Sequence, residues 1–134
     1  MKEIKLPADI DRLGDLYAFL QESIACGGVV LPECKYQELK QASEEIFVNI
    51  AYYAYTGRGD VLVRIEAGPT KIKVEFHDSG KAFDPLAFGY GGPSPHNPAH
   101  NRGGQGIFLV KELTDDFYYT YCDGHNKLTI VKAV

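Results

Sequence analysis

Apolar residues recur in two rhythms along this chain, and each change of rhythm marks an element boundary. Residues 2–7 alternate loosely and predict a short first strand. Leu13, Leu16, Tyr17 and Leu20 then recur at helical spacing behind Asp9, which suits a helix N-cap, and Gly27-Gly28 stops the helix. After Pro32 a longer helix is predicted over about residues 33–55, with Leu39, Ala42, Ile46, Ile50 and Tyr53 as its apolar stripe. Thr56-Gly57-Arg58-Gly59 ends it.

From Asp60 the period drops to two. Val61, Val63 and Ile65 share one face, Gly68-Pro69-Thr70 turns the chain, and Ile72, Val74 and Phe76 alternate with Lys71, Lys73, Glu75 and His77. That pattern is a half-buried hairpin. Residues 84–104 are rich in Gly, Pro, Asn and His and carry little periodicity, a long loop of the kind that is functional or moves. An apolar helix is predicted over about residues 105–114, then two strands, 117–122 and 127–134, joined around Asp123-Gly124. These elements predict a single α+β domain spanning residues 1–134. It would be a two-layer sandwich, its mixed, mostly antiparallel sheet covered on one face by three helices.

Composition narrows the class. With 45% hydrophobic and 24% charged residues the chain can bury a core and is not a disordered tail. A net charge of -4 argues against nonspecific nucleic-acid or anionic-membrane binding. Cys26, Cys34 and Cys122 lack metal or disulfide spacing, so reduced thiols, mostly structural, are expected. No apolar stretch is long enough for a secretory signal or a membrane span, and a cytoplasmic protein is expected.

Three places carry candidate chemistry. On the long helix Glu45 and Asn49 stand four residues apart on one flank: a proton acceptor beside an amide oxygen that suits a hard cation. Glu44 is adjacent, and either carboxylate fits the acid's position. Asp78-Ser79-Gly80 closes the second hairpin strand, where a carboxylate can accept from an exocyclic amine and glycine lets a flat ring approach. Arg102-Gly103-Gly104-Gln105-Gly106 runs into Ile107-Phe108-Leu109-Val110, a glycine loop at a helix start and so a seat for phosphate. It has neither the Gly-Lys-Ser/Thr ending of a Walker loop nor the spacing of the dinucleotide fingerprint. His96 and His100 sit among prolines, without a cysteine or carboxylate cluster to complete a metal site. Tyr52, Tyr53, Tyr55, Tyr118, Tyr119 and Tyr121 read as core and sheet-face residues, since no basic patch joins them as base stacking on RNA or single-stranded DNA would need.

The order of these motifs resembles the GHKL ATPase superfamily and, more narrowly, the bacterial anti-sigma-factor serine/threonine kinases. Ser43-Glu44-Glu45-Ile46-Phe47-Val48-Asn49 resembles the N box. His77 to Pro85 resembles the adenine-binding glycine box, and Arg102 to Val110 the second glycine box. Thr129-Ile130-Val131-Lys132 resembles the closing strand. The resemblance implies a Bergerat-type fold holding ATP and Mg²⁺. Glu45 would be the general base, and Asn49 would bind Mg²⁺. Asp78 would meet the adenine amine, with Gly80 making room beside the ring. Arg102, Gly103, Gly104, Gln105 and Gly106 would meet the phosphates beneath a lid over 86–102, and Thr129 would join the nucleotide-binding residues. Tyr53 and Ala82 stand where many members carry histidine and glycine. The implied partners are a sigma factor and its antagonist, with room for a homodimer. A module that holds ATP and captures a regulatory protein without phosphoryl transfer is the alternative.

Overall fold

A computed structural model describes residues 1–55, 58–81 and 109–134. Five strands form one sheet in the order β1-β2-β3-β5-β4: β1 (Lys2–Pro7), β2 (Asp60–Ala67), β3 (Lys71–Asp78), β4 (Asp116–Cys122) and β5 (His125–Ala133). Every pairing is antiparallel, so the described sheet has none of the parallel component of a mixed sheet. β1 and β2 pair although two helices separate them in sequence, and β3 pairs with β5 because β4 lies at the edge. Two tight connections build the hairpins. Gly68 N–H donates to the Lys71 carbonyl at 2.9 Å, and Asp123 and Gly124 both take positive φ (53° and 77°), as a hairpin turn with native twist requires.

The helices follow the apolar spacing. Asp9 caps as expected, its carboxylate accepting from Asp11 N–H at 2.9 Å, but it opens a 3-10 turn, Ile10–Arg12, that leads into α1 (Leu13–Cys26). α2 (Glu33–Tyr53) buries Leu39, Ala42, Ser43, Ile46, Phe47 and Ile50 on one stripe. Residues 109–113 are helical, with Val110 fully buried. Lys132 of β5 secures that segment: its ammonium donates to the Leu113 carbonyl at 2.7 Å and reaches Glu38 of α2 at 3.2 Å. The rest of the helix expected over 105–114, and the 84–104 loop, lie outside the described residues.

Strand register sorts the side chains into two faces. Ile4 and Leu6, Val61, Val63 and Ile65, Ile72, Val74 and Phe76, and Leu128 and Ile130 line the inner face and form the core with the helices. At about 25 cal/mol per Å² of apolar surface, each fully buried side chain of this kind contributes about 1.5–3 kcal/mol. The outer face carries Lys73, Glu75, His77, Lys127 and Tyr118. The three cysteines are free, exposed thiols, and Lys2 of β1 donates to Cys26 Sγ at 3.2 Å. Tyr52, Tyr118 and Tyr121 are likewise exposed. Among the described residues no helix is long and apolar enough to cross a membrane.

Candidate functional site

The inner row of β3 runs Ile72, Val74, Phe76 and then Asp78, so an apolar series ends in a carboxylate. Asp78 is 5% exposed, and a buried carboxylate is costly unless it is hydrogen-bonded. Its Oδ1 accepts from Gly80 N–H at 2.9 Å and from Asn126 Nδ2 at 2.9 Å. Asn126 is its register partner on β5. The same amide nitrogen donates to the Lys81 carbonyl at 2.9 Å and lies 3.3 Å from the Gly80 carbonyl. Tyr119 of β4 donates its hydroxyl proton to Asn126 Oδ1. The end of β3 is thus tied to β5 and β4 by a chain of hydrogen bonds whose donors are all neutral.

Gly80 sets the other wall. A Cβ there would stand 2.2 Å from the Ala54 carbonyl oxygen and 2.7 Å from the Ala54 Cβ, at the C-terminal end of α2. Lys81 N–H donates to the same carbonyl at 3.3 Å. The glycine therefore serves a close approach of backbone to backbone, a packing reason beside the ring clearance expected from sequence. Tyr55 closes the corner: its hydroxyl accepts from Ser79 N–H at 2.8 Å and donates to the Asp60 carbonyl at 2.7 Å.

Further back along α2 stand Asn49 and Glu45, both half-buried on the flank of the helix. At 1.5 Å per residue they lie about 7.5 and about 13.5 Å along the axis from Ala54. Glu44 is engaged elsewhere. It accepts the hydroxyl proton of Tyr17, whose pKa is pushed up by burial first and then by Glu44, and Lys40 lies 4.4 Å from the centre of that ring. Glu44 thus ties α1 to α2, while Glu45 stands one turn before Asn49 on the same flank. The Asn49 amide oxygen is a hard donor of the kind Mg²⁺ takes alongside phosphate oxygens, with the Glu45 carboxylate beside it.

Thr129 is not brought to this cradle. It faces Glu75 across the ladder, on the outer side of the sheet, so its hydroxyl is separated from Asp78 by the sheet itself. The position on β5 that meets Asp78 is Asn126, which sequence reasoning missed. The available signal was an amide in line with Leu128 and Ile130, a polar break in an apolar row. Tyr119 and Tyr55 were likewise read only as packing residues. Arg102, Gly103, Gly104, Gln105 and Gly106 lie outside the described residues, as do Ala82, His96 and His100. A shallow cleft of about 640 Å³ reaches the back of Asp78 between Lys5, Leu62, His77 and His125. Those side chains approach it from the outer face, away from Asn49 and Glu45.

The fold recurs in solved proteins. The chain aligns over 98% of its length, with a TM-score of 0.62 and 15% identity, to the RsbU and RsbW domains of Rv1364c from Mycobacterium tuberculosis, of which it spans 32%. It aligns over 97% of both chains with the mycobacterial sensor histidine kinase MprB, with a TM-score of 0.60 and 19% identity. A blue-light-activated histidine kinase from Erythrobacter litoralis matches with a TM-score of 0.57 and 15% identity, over 94% of this chain and 60% of that one. No curated protein matches by sequence. The family model of the histidine kinase-like ATPase domain matches residues 6–132, nearly the whole chain. The chain belongs to the histidine kinase-like ATPase domain family.

Proposed function

We propose that this chain is a cytoplasmic ATP-dependent serine/threonine kinase of the anti-sigma type, acting on a small antagonist protein and sequestering a sigma factor. The carrying observation is the buried Asp78 at the end of β3, held by neutral donors against the end of α2, with Asn49 and Glu45 further along that helix. A purine at Asp78 would leave its phosphates to run toward Asn49 and Glu45. The RsbW domain among the structural neighbours and the motif resemblance support the anti-sigma branch.

In this reading Asp78 accepts from the exocyclic amine of adenine. Asn49 offers its amide oxygen to Mg²⁺, which when bound supplies charge neutralisation on the phosphates. Glu45 takes the proton of the acceptor hydroxyl as that oxygen bonds to the γ-phosphorus. The bond to the β–γ bridging oxygen breaks, and ADP leaves with its electron pair. Positioning and charge neutralisation carry most of the rate, with a general base contributing about 10²–10⁴-fold.

The test supplies γ-labelled Mg-ATP and a small antagonist-type protein encoded beside this chain. Wild type should label serine or threonine. Glu45→Gln should lose at least about 100-fold in transfer while keeping the rise in Tm that Mg-ATP gives. Acid-labile label on histidine, or wild-type transfer by Glu45→Gln, overturns the assignment. Nucleotide binding without any transfer by wild type selects the partner-capturing alternative.

A further inference from the structure

We propose that Asn126, locked by Tyr119, is a positioning residue that aims Asp78 at the nucleobase, so that selectivity for the 6-amino group is set partly from edge strand β4. The inference rests on the ATP-binding reading and deepens it.

An Asp-Ser-Gly turn alone would leave the carboxylate free to turn about its terminal bond, and either oxygen could present itself. Here Gly80 N–H and Asn126 Nδ2 both donate to the same oxygen, Oδ1, at 2.9 Å. That choice fixes the direction in which Oδ2 lies.

Asn126 must in turn be fixed, because an amide can flip. Three acceptors surround its nitrogen: Asp78 Oδ1, the Gly80 carbonyl and the Lys81 carbonyl. A flipped amide would set its own oxygen against all three, with no donor between them. The Tyr119 hydroxyl donates to the other end of the amide and adds to the same bias. Tyr119 reaches it as a diagonal neighbour across the β4–β5 ladder, where Leu128 is its direct partner. Asp78 and Asn126 are both buried, and in such surroundings each hydrogen bond of a chain polarises the next. Proton donation runs one way, from Tyr119 through Asn126 to Asp78. The carboxylate stays an oriented acceptor, and the group it selects is a donor: an exocyclic amine.

The experiment compares Mg-ATP with the Mg complex of purine riboside triphosphate, which lacks the 6-amino group, by calorimetric titration of wild type and Tyr119→Phe. Wild type should favour ATP. Tyr119→Phe should weaken ATP by about threefold to tenfold, the range of one neutral hydrogen bond, and weaken the amine-less analogue by less than about twofold. Equal weakening of both nucleotides would mean a general packing role and overturn the inference, as would an unchanged preference for ATP. A wild type that binds neither nucleotide overturns the ATP reading itself.

Asn126→Asp gives a second readout. It sets a carboxyl against Asp78, and only its protonated form donates to Oδ1, so ATP affinity relative to wild type at the same pH should fall as pH rises. A ratio independent of pH overturns the inference.

Discussion

Two carboxylates on β3 are buried almost equally and point to opposite sides of the sheet. Glu75 is 6% exposed on the outer face, and Asp78 is 5% exposed on the inner one. Glu75 sits between two lysines and a histidine: Lys73 at 3.3 Å, Lys127 at 3.8 Å and His77 Nε2 at 3.0 Å. Burial alone would raise its pKa, but the His77 hydrogen bond, then Lys127 and Lys73, outweigh burial and hold it below 4.5. Asp78 has no ion pair among the described residues, only neutral amide donors on one oxygen. A carboxylate flanked by lysines has its charge compensated locally. One held only by directional neutral donors has no counter-charge beside it, the arrangement that the proposed ATP site would use. Depth of burial therefore does not separate these two acids. In the proposed ATP reading the identity of their donors does.

The most severe way to break this contrast is to separate the inner acid from the helix it faces. In Gly80→Ala the new Cβ would stand 2.2 Å from the Ala54 carbonyl, and backbone cannot yield as a flexible side chain does. The end of β3 must then move away from α2, with an expected loss of about 2–4 kcal/mol and of most nucleotide affinity. Urea unfolding reads the stability. A variant within about 0.5 kcal/mol of wild type would show that the close approach does not constrain the fold.

A paired exchange sharpens the contrast next. Asp78→Asn keeps an oxygen acceptor for Gly80 and Asn126 but removes the charge. ATP affinity should fall at least about tenfold, the scale of a hydrogen bond to a charged group, with a smaller effect on stability. Glu75→Gln should do the reverse, leaving ATP affinity within about twofold and changing the pH dependence of stability instead. The folded pKa of Glu75 is depressed, so its contribution is present above the unfolded value of 4.5 and lost as pH falls through the folded one. The variant should therefore be less stable than wild type at neutral pH, with the gap closing below pH 4.5. Arg64, the register partner of Glu75 on β2, is occupied by Glu3 at 2.8 Å and leaves the His77 hydrogen bond, Lys127 and Lys73 to carry the effect. A gap that stays constant down to acid pH, or a large loss of ATP affinity in Glu75→Gln, would erase the distinction between the two faces.

Much of the fold was legible because local rules set it. Val61, Val63 and Ile65 alternate because β2 has one apolar face, and Pro32 and Gly27-Gly28 mark helix ends through backbone geometry. The Asp78-Ser79-Gly80 box could be read as a unit because its residues are adjacent in sequence. What could not be read depends on partners far away in the chain. The reason for Gly80 is Ala54, and the residue on Asp78 comes from β5. That Glu44 binds Tyr17 depends on another helix and could not be read from the Glu44-Glu45 pair itself. β5 defeats pattern reading in particular, because it lies between β3 and β4 and buries Leu128, Thr129 and Ile130 in succession. A strand buried on both sides has no alternation to tell one face from the other.

Thr129 carries that lesson to the smallest expected effect. It is 1% exposed on the outer face, opposite Glu75 and Tyr118, and its hydroxyl has no hydrogen-bond partner among the described residues. A buried hydroxyl without a partner costs stability, so Thr129→Val, which keeps the shape and removes the polar atom, should be neutral or stabilising by up to about 1 kcal/mol. ATP affinity should not change, because the sheet lies between this side chain and Asp78. Thermal unfolding and nucleotide titration read the two quantities on one sample. A loss of ATP affinity comparable to that of Asp78→Asn would return Thr129 to the nucleotide site and put the face assignment of β5 in error. Unchanged affinity with equal or higher stability leaves Asn126 as the β5 residue that meets the inner carboxylate.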